Sequence, residues 1–295
     1  MNHKLKIWIG AARLRAFPLA LSCIGMGGFL AAERGLFDPI ILGWAMITTI
    51  LLQLTSNLAN DLGDTIHGAD HDDREGPSRA VQQGLITTTQ MRIAVWITAI
   101  LSFVSGLILT YLGVNSMQDA MIFIGLGLLA VVAAVEYTMG KKPYGYLGLG
   151  DLSVFIFFGW VGVVGSFYLQ TNVISWDIFL PASACSFFAV AVLNINNIRD
   201  IDSDMSAGKN TFALRLGKKG ARLYHLMILA AGLICAMIYT IHVGGSWLYM
   251  IALPFVVYNG YQTSQKQTAK ELDPLVRQMA FTSLIFVVLF GISLI

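Results

Sequence analysis

Nine stretches of this chain run apolar for about twenty residues each, near 11-32, 39-60, 91-113, 119-138, 149-170, 176-197, 221-242, 246-262 and 277-295. About 20 helical residues cross a hydrocarbon core of about 30 Å, and a chain inside that core must satisfy its backbone amides within the segment. The pattern therefore predicts an all-α membrane protein of nine transmembrane helices. Only 12% of the 295 residues are charged and 56% are hydrophobic, whereas soluble domains are roughly a quarter charged. No soluble domain is hidden between the spans, and residues 1-295 read as a single integral-membrane domain. The first span lacks a small-residue cleavage site and reads as a retained helix, not a signal peptide.

Charge placement tests the count, because Lys and Arg accumulate in the cytoplasmic loops near span ends. With the N-terminus in the cytoplasm, the inner segments hold Lys4, Lys6, Arg13 and Arg15, then Arg74, Arg79 and Arg92, then Lys141 and Lys142. The next two hold Arg199, Lys209, Arg215, Lys218, Lys219 and Arg222, then Lys266, Lys270 and Arg277. Of the nineteen basic residues only Arg34 falls on the other side. One missed helix would reverse every later loop. The basic residues thus follow topology and show no nucleic-acid-binding pattern. Cys23, Cys185 and Cys235 all lie inside predicted spans without paired spacing, which fits packing residues better than a disulfide framework or thiolate metal site.

Against this apolar background two acidic stretches stand out. "SNLANDLGDTIHGADHDD", 56-73, follows span 2 with five carboxylates, and "NINNIRDIDSD", 194-204, follows span 6. Both contain Asn-x-x-x-Asp, as Asn57 and Asp61 and as Asn196 and Asp200, followed by Asp64 and Asp204. The sites are four helices apart, which reads as a parallel pseudo-repeat, with motif regions at 57-79 and 194-215, plus a ninth helix. An even number of helices per repeat puts both motifs on the same membrane face.

Positions i, i+3 and i+4 share a helix face. Asn57, Asp61 and Asp64 can then present oxygens in one direction, and Asn196 or Asn197, Asp200 and Asp204 likewise. Facing carboxylates a few ångströms apart repel by roughly 4 kcal/mol per pair at an effective dielectric near 20, so a cation belongs between them. Oxygen-only ligands suit Mg²⁺, which takes one or two carboxylates and completes its shell with water and phosphate oxygens. The expected substrate is a metal-bridged diphosphate or nucleotide. Arg79, Lys141, Lys142, Lys209 and Arg215 lie near the motifs and are candidates for the remaining phosphate oxygens.

Two other metal sites fail on spacing. "DIDSD" opens like an EF-hand loop, but Met205 stands where Gly is needed and Thr211 where the bidentate Glu is needed. His67 and His71 have the i, i+4 spacing of a zinc pair, yet Gly68 lies between them and no Glu follows the first His.

"NLANDLGDTIHGADHDDREGPSRAVQQGLIT", "TMGKKPYGYLGLGD" and "VLNINNIRDIDSDMSAGKNTFALRLG", in this order in an apolar multi-span chain, resemble the UbiA superfamily of intramembrane aromatic prenyltransferases. Within it they are most similar to the 1,4-dihydroxy-2-naphthoate polyprenyltransferases of menaquinone synthesis. The resemblance implies a nine-helix bundle around a central cavity in the bacterial cytoplasmic membrane, capped on the cytoplasmic side by the 2-3 and 6-7 loops. It implies transfer of a polyprenyl group from polyprenyl diphosphate to 1,4-dihydroxy-2-naphthoate, with loss of diphosphate and CO₂. Mg²⁺ would be held by Asn57, Asp61 and Asp64 and by Asn197, Asp200 and Asp204, the four aspartates being catalytic. Arg79, Lys141, Lys142 and Lys209 would bind diphosphate, and Arg13 or Arg15 the naphthoate carboxylate. The later carboxylates depart from the generic spacing, with Asp70 in the first motif and Asp202 in the second, so either could join or replace Asp64 or Asp204 at the metal.

Two other functions fit part of the pattern. A cation-coupled transporter also buries carboxylates, but its sites lie near the midplane in interrupted helices, whereas these motifs lie at span ends. A prenyltransferase acting on another aromatic acceptor would show the same motifs.

Overall fold

The computed structural model describes residues 3–68 and 79–295. Asp70, His71, Asp72, Asp73 and Arg74 of the first motif lie outside the described residues. Among those described there is no strand, and eight helical segments are long and apolar enough to cross a membrane: His3–Glu33, Pro39–Ile66, Thr88–Gly113, Met117–Glu136, Gly150–Thr171, Trp176–Arg199, Phe212–Val243 and Ala269–Ile292. The chain is a multi-pass membrane protein.

The helices are named here α1 (His3–Ala12), α2 (Phe17–Glu33), α3 (Pro39–Ile66), α4 (Thr88–Gly113) and α5 (Met117–Glu136). Then come α6 (Gly150–Thr171), α7 (Phe179–Arg199), α8 (Ile201–Ser206), α9 (Phe212–Val243), α10 (Leu253–Gln265) and α11 (Ala269–Ile292). Their starts follow from local sequence. Asp38 caps α3 by accepting from the Ile40 and Ile41 amides, with Pro39 in the first turn where no amide donor is missed. Reciprocal capping boxes, Thr87 with Gln90 and Thr268 with Glu271, start α4 and α11.

The eighth expected span, 246-262, is the one that differs. It is a 3₁₀ segment, Leu248–Ala252, continued by α10, and it is not among the eight because Asn259, Gln262, Thr263 and Ser264 dilute its apolar content. It nonetheless runs from one end of the bundle to the other. At its start the Ser246 amide donates to Ser293 at the end of α11, and just past its end the Lys266 carbonyl accepts from Arg222 near the start of α9. Asn259 is fully buried, bonded to His225 of α9 and to Gln278 of α11, so its polarity is spent on its neighbours and not exposed to lipid.

α3 packs along α4, and α7 along α9 and α11. The largest core cluster joins α2, α6, α7, α9, α10 and α11 and includes Met26, Phe167, Phe188, Tyr249 and Phe286. α5 buries none of its residues. Between these groups lies one large cavity of about 900 Å³.

Candidate active site

The cavity has an acidic, polar mouth and an apolar interior. Asp61, Asp64, Asp200 and Asp204 line the mouth, and Leu109, Phe123 and Leu169 line the interior. Along α5 the wall runs from Tyr137, just past the helix end, to Phe123, about 21 Å at 1.5 Å per residue.

Three segments are latched together over the mouth. Gly63, between the first motif's aspartates, has no room for a side chain: a Cβ there would lie 2.5 Å from the Thr138 carbonyl oxygen. That close approach lets the Thr138 hydroxyl donate to the Ala59 carbonyl and to the Asn60 amide oxygen, both at 3.0 Å. The α5–α6 loop is thereby fixed against α3 and carries Tyr146 to Asp64, whose carboxylate accepts the phenol's hydrogen bond at 2.5 Å. The same loop is tied to the α8–α9 loop. The Asn210 amide donates to the Tyr146 carbonyl at 2.8 Å and Arg215 to the Leu147 carbonyl at 2.6 Å. Gly148, at φ +76°, makes the intervening turn in the left-handed region that glycine enters without strain.

Both acidic motifs therefore meet at one end of the bundle. Lys209 bridges them, its Nζ 3.3 Å from Asp64 Oδ1 and 3.2 Å from Asp204 Oδ1, and lies over the Tyr146 ring. Arg79 is buried, donating to the Asn60 carbonyl and pairing with Asp64. Asp200 ends α7 and accepts from Nε and Nη2 of Arg199, both at 2.8 Å, while Arg199 Nη1 donates to Asp273 of α11 at 2.7 Å. Asp61 is buried in the cavity wall. Burial pushes the Asp204 carboxyl up from its ordinary range, and the neighbouring Lys209 pulls it back down.

Other expected residues sit differently. Asn57 lines the cavity, but its amide donates to the Ala12 carbonyl at 2.8 Å and its oxygen accepts from Gln53 at 3.0 Å, so it caps the end of α1. Asn197 lines the cavity. Asp202 is exposed and pairs with Lys218 at 2.6 Å, away from the cavity. Lys141 and Lys142 are exposed in the α5–α6 loop and are not part of the cavity wall. Arg13 and Arg15 both line the mouth, where the first span breaks: Arg13 adopts φ +49° between α1 and the short 3₁₀ turn Leu14–Ala16. The His67 ring Nε2 meets the Gly140 carbonyl at 3.0 Å.

The donor set at the mouth is carboxylate and amide oxygen alone, as a hard divalent cation requires. Among the described residues no three His, Cys, Asp or Glu side chains close on one point, and Lys209 lies between Asp64 and Asp204.

Residues 20–285 match the UbiA prenyltransferase family. The chain belongs to that family. It is similar over its whole length to a 1,4-dihydroxy-2-naphthoate octaprenyltransferase of Haemophilus influenzae, 42% identical over 300 residues that cover 100% of this chain and 97% of the relative. A protein of the same description from Escherichia coli is 42% identical, covering 96% and 94% of the two chains. The UbiA fold is evident in three dimensions too. A UbiA homologue from Archaeoglobus fulgidus, solved with GPP and Mg²⁺, superposes with a TM-score of 0.59 at 14% identity over 95% of this chain and 98% of that one.

Sequence reasoning missed Tyr146, the pairing of Arg199 with Asp200, and Asp273. Tyr146 stood within the quoted loop motif without chemistry attached to it. Asp273 had a readable signal, a carboxylate one helical turn before Arg277 at the start of the last apolar run.

Proposed function

We propose that this UbiA protein transfers a polyprenyl group from polyprenyl diphosphate to 1,4-dihydroxy-2-naphthoate. The observation that carries this is the pair of buried acidic motifs, latched together across Lys209 at the mouth of an apolar cavity in a membrane bundle. The names of the two relatives supply the acceptor.

The donor set fits Mg²⁺, which Asp61, Asp64, Asn197, Asp200 and Asp204 would hold; Asn57, already committed to Ala12 and Gln53, supports the helix carrying two of them. Bound there, Mg²⁺ supplies charge neutralisation to the diphosphate leaving group. Arg79 and Lys209 turn from their carboxylates to phosphate oxygens as charge-assisted donors. Asp202, exposed and paired, takes no part, and Lys141 and Lys142 remain candidates for diphosphate capture from the loop. The apolar cavity wall excludes water, so the allylic cation left by C–O cleavage meets the electron-rich ring and not a solvent nucleophile. A C–C bond to the ring forms, and the ring carboxylate departs as CO₂. The product is the reduced form of demethylmenaquinone. Arg13 or Arg15 at the mouth holds the naphthoate carboxylate before that step.

The distribution of basic residues supports a cytoplasmic motif end and N-terminus and nine spans across the bacterial inner membrane. The Asn-x-x-x-Asp correspondence at the ends of α3 and α7 reads as a pseudo-repeat within one domain.

The test is mass-spectrometric product detection with detergent-purified protein, a polyprenyl diphosphate, the naphthoate, and either Mg²⁺ or EDTA. A prenylated, decarboxylated product that needs the metal is expected. Product with a different phenol but none with the naphthoate would overturn the acceptor assignment. Metal-independent product would overturn the clamp.

A further inference from the structure

At the rim of the cavity three arginines meet two aspartates, and their charges do not cancel. Arg15 comes from the 3₁₀ turn after α1, Arg199 and Asp200 from the end of α7, and Asp273 and Arg277 from the first turns of α11. Asp273 accepts from Arg199 at 2.7 Å and pairs with Arg15 at 3.5 Å. Asp200 accepts from Arg199 through both carboxylate oxygens. Arg277 lies within electrostatic reach of Arg15, lines the cavity, and has no ion-pair or hydrogen-bond partner among the described residues. These five groups carry three positive charges and two negative ones, and Arg277 is a guanidinium of the set that lines the cavity.

We propose that Arg277 and Arg15 form an anion subsite for the carboxylate of the aromatic acceptor, and that Asp273 is the positioning residue holding Arg15 toward it. This rests on the prenyl-transfer reading for the identity of the ring, but the subsite's chemistry, one carboxylate on an aromatic body, follows from the charge count and the apolar wall. Arg277 and Asp273 share one face of α11, being four residues apart, so the last helix contributes both the receptor and its brace. The subsite also distinguishes substrate from product. Once CO₂ has left, the ring no longer carries the anion that the two guanidiniums recognise, and the neutral quinol loses those charge-assisted bonds. Release into lipid is favoured without any movement of the bundle.

The experiment uses the purified full chain without prenyl donor. Equilibrium dialysis measures binding of 1,4-dihydroxy-2-naphthoate and of 1,4-dihydroxynaphthalene, which lacks only the carboxylate. The wild type should prefer the carboxylated ring by about tenfold or more, as charge-assisted hydrogen bonds allow. Arg277→Gln should bring the carboxylated ring down to the affinity of the diol while leaving the diol and the KM for prenyl diphosphate within about twofold, and Arg277→Lys should restore part of the preference. Asp273→Asn should show the same acceptor-specific loss, with Asp273→Glu recovering it. Equal binding of both rings by the wild type, or loss of both rings and the donor alike in Arg277→Gln, would overturn the subsite. Discrimination between the rings without any prenyl transfer would keep the subsite and sink the prenyltransferase reading; prenyl transfer without discrimination would do the reverse.

Discussion

Lys209 stands where paired acidic motifs demand a cation. Two carboxylates approaching this closely cost several kcal/mol unless something positive lies between them, and in this structure an ammonium from the second motif's own loop does that. The carboxylates were legible in the sequence because charge is so rare in this chain that its cost required a reason. Their partners were not. Asn57 has the spacing of a ligand, but only the fold shows the Ala12 carbonyl waiting for its amide. Lys141 and Lys142 are near the motifs in sequence and exposed in space. At this scale the clamp makes two predictions. Asp61→Asn and Asp200→Asn each lower turnover by about a thousandfold or more, the scale on which loss of pre-organised charge stabilisation acts, while the proteins still purify as monodisperse particles in detergent; near-normal turnover in either would remove that residue from the clamp. Lys209→Ala raises the KM for prenyl diphosphate by about tenfold, as expected for one charge-assisted bond, with the naphthoate KM unchanged. Equal movement of both constants would mean that Lys209 serves only to hold the loops.

Among the elements, the one that decides the site is the α5–α6 loop, which no hydropathy pattern marks as more than a connection. Its role depends on Gly63, where α3 and Thr138 approach backbone to backbone, and on Gly148, where the turn goes left-handed to meet Asn210. Both glycines were visible as letters, but a glycine becomes informative only when the surface pressing against it is known. Gly63→Val places a branched side chain into the Thr138 carbonyl and forces α3 and the loop apart. The expected result is a loss of about 1–3 kcal/mol, in the range for overpacking, read as a lower thermal midpoint, together with loss of the Tyr146 contact and a large fall in turnover. Retained activity and midpoint would show that the loop can move aside, and that Tyr146 is not needed at Asp64. The segment around α10 teaches the complementary lesson. Its polar residues kept it out of the set of apolar helices, yet Asn259 bonds His225 and Gln278 in the interior, and a polar residue in a span is cheap once neighbouring helices satisfy it.

Over the whole molecule, the proposed nine-span topology comes from arithmetic on basic residues, and contacts that such arithmetic never used support its eighth crossing. Ser246 and Ser293 meet at one end, and Arg222 and Lys266 at the other, so the segment between 246 and 266 returns the chain to the motif end before α11 leaves it again. About five residues of 3₁₀-helix at 2.0 Å and thirteen of α-helix at 1.5 Å span roughly 30 Å, which is the thickness of the hydrocarbon core. If that segment did not cross, α11 would begin on the wrong side, and Asp273 and Arg277 could not share a rim with Arg15 and Arg199, as they do. The proposed topology and the proposed acceptor subsite thus rest on the same geometry. Introduced single cysteines test it with a membrane-impermeant maleimide: Gly245→Cys should label in intact cells, whereas Lys266→Cys should label only after the cytoplasmic membrane is permeabilised. Labelling of both in intact cells would turn 248-265 into a hairpin lying at one face, and would take the last helix's arginine away from the cavity with it.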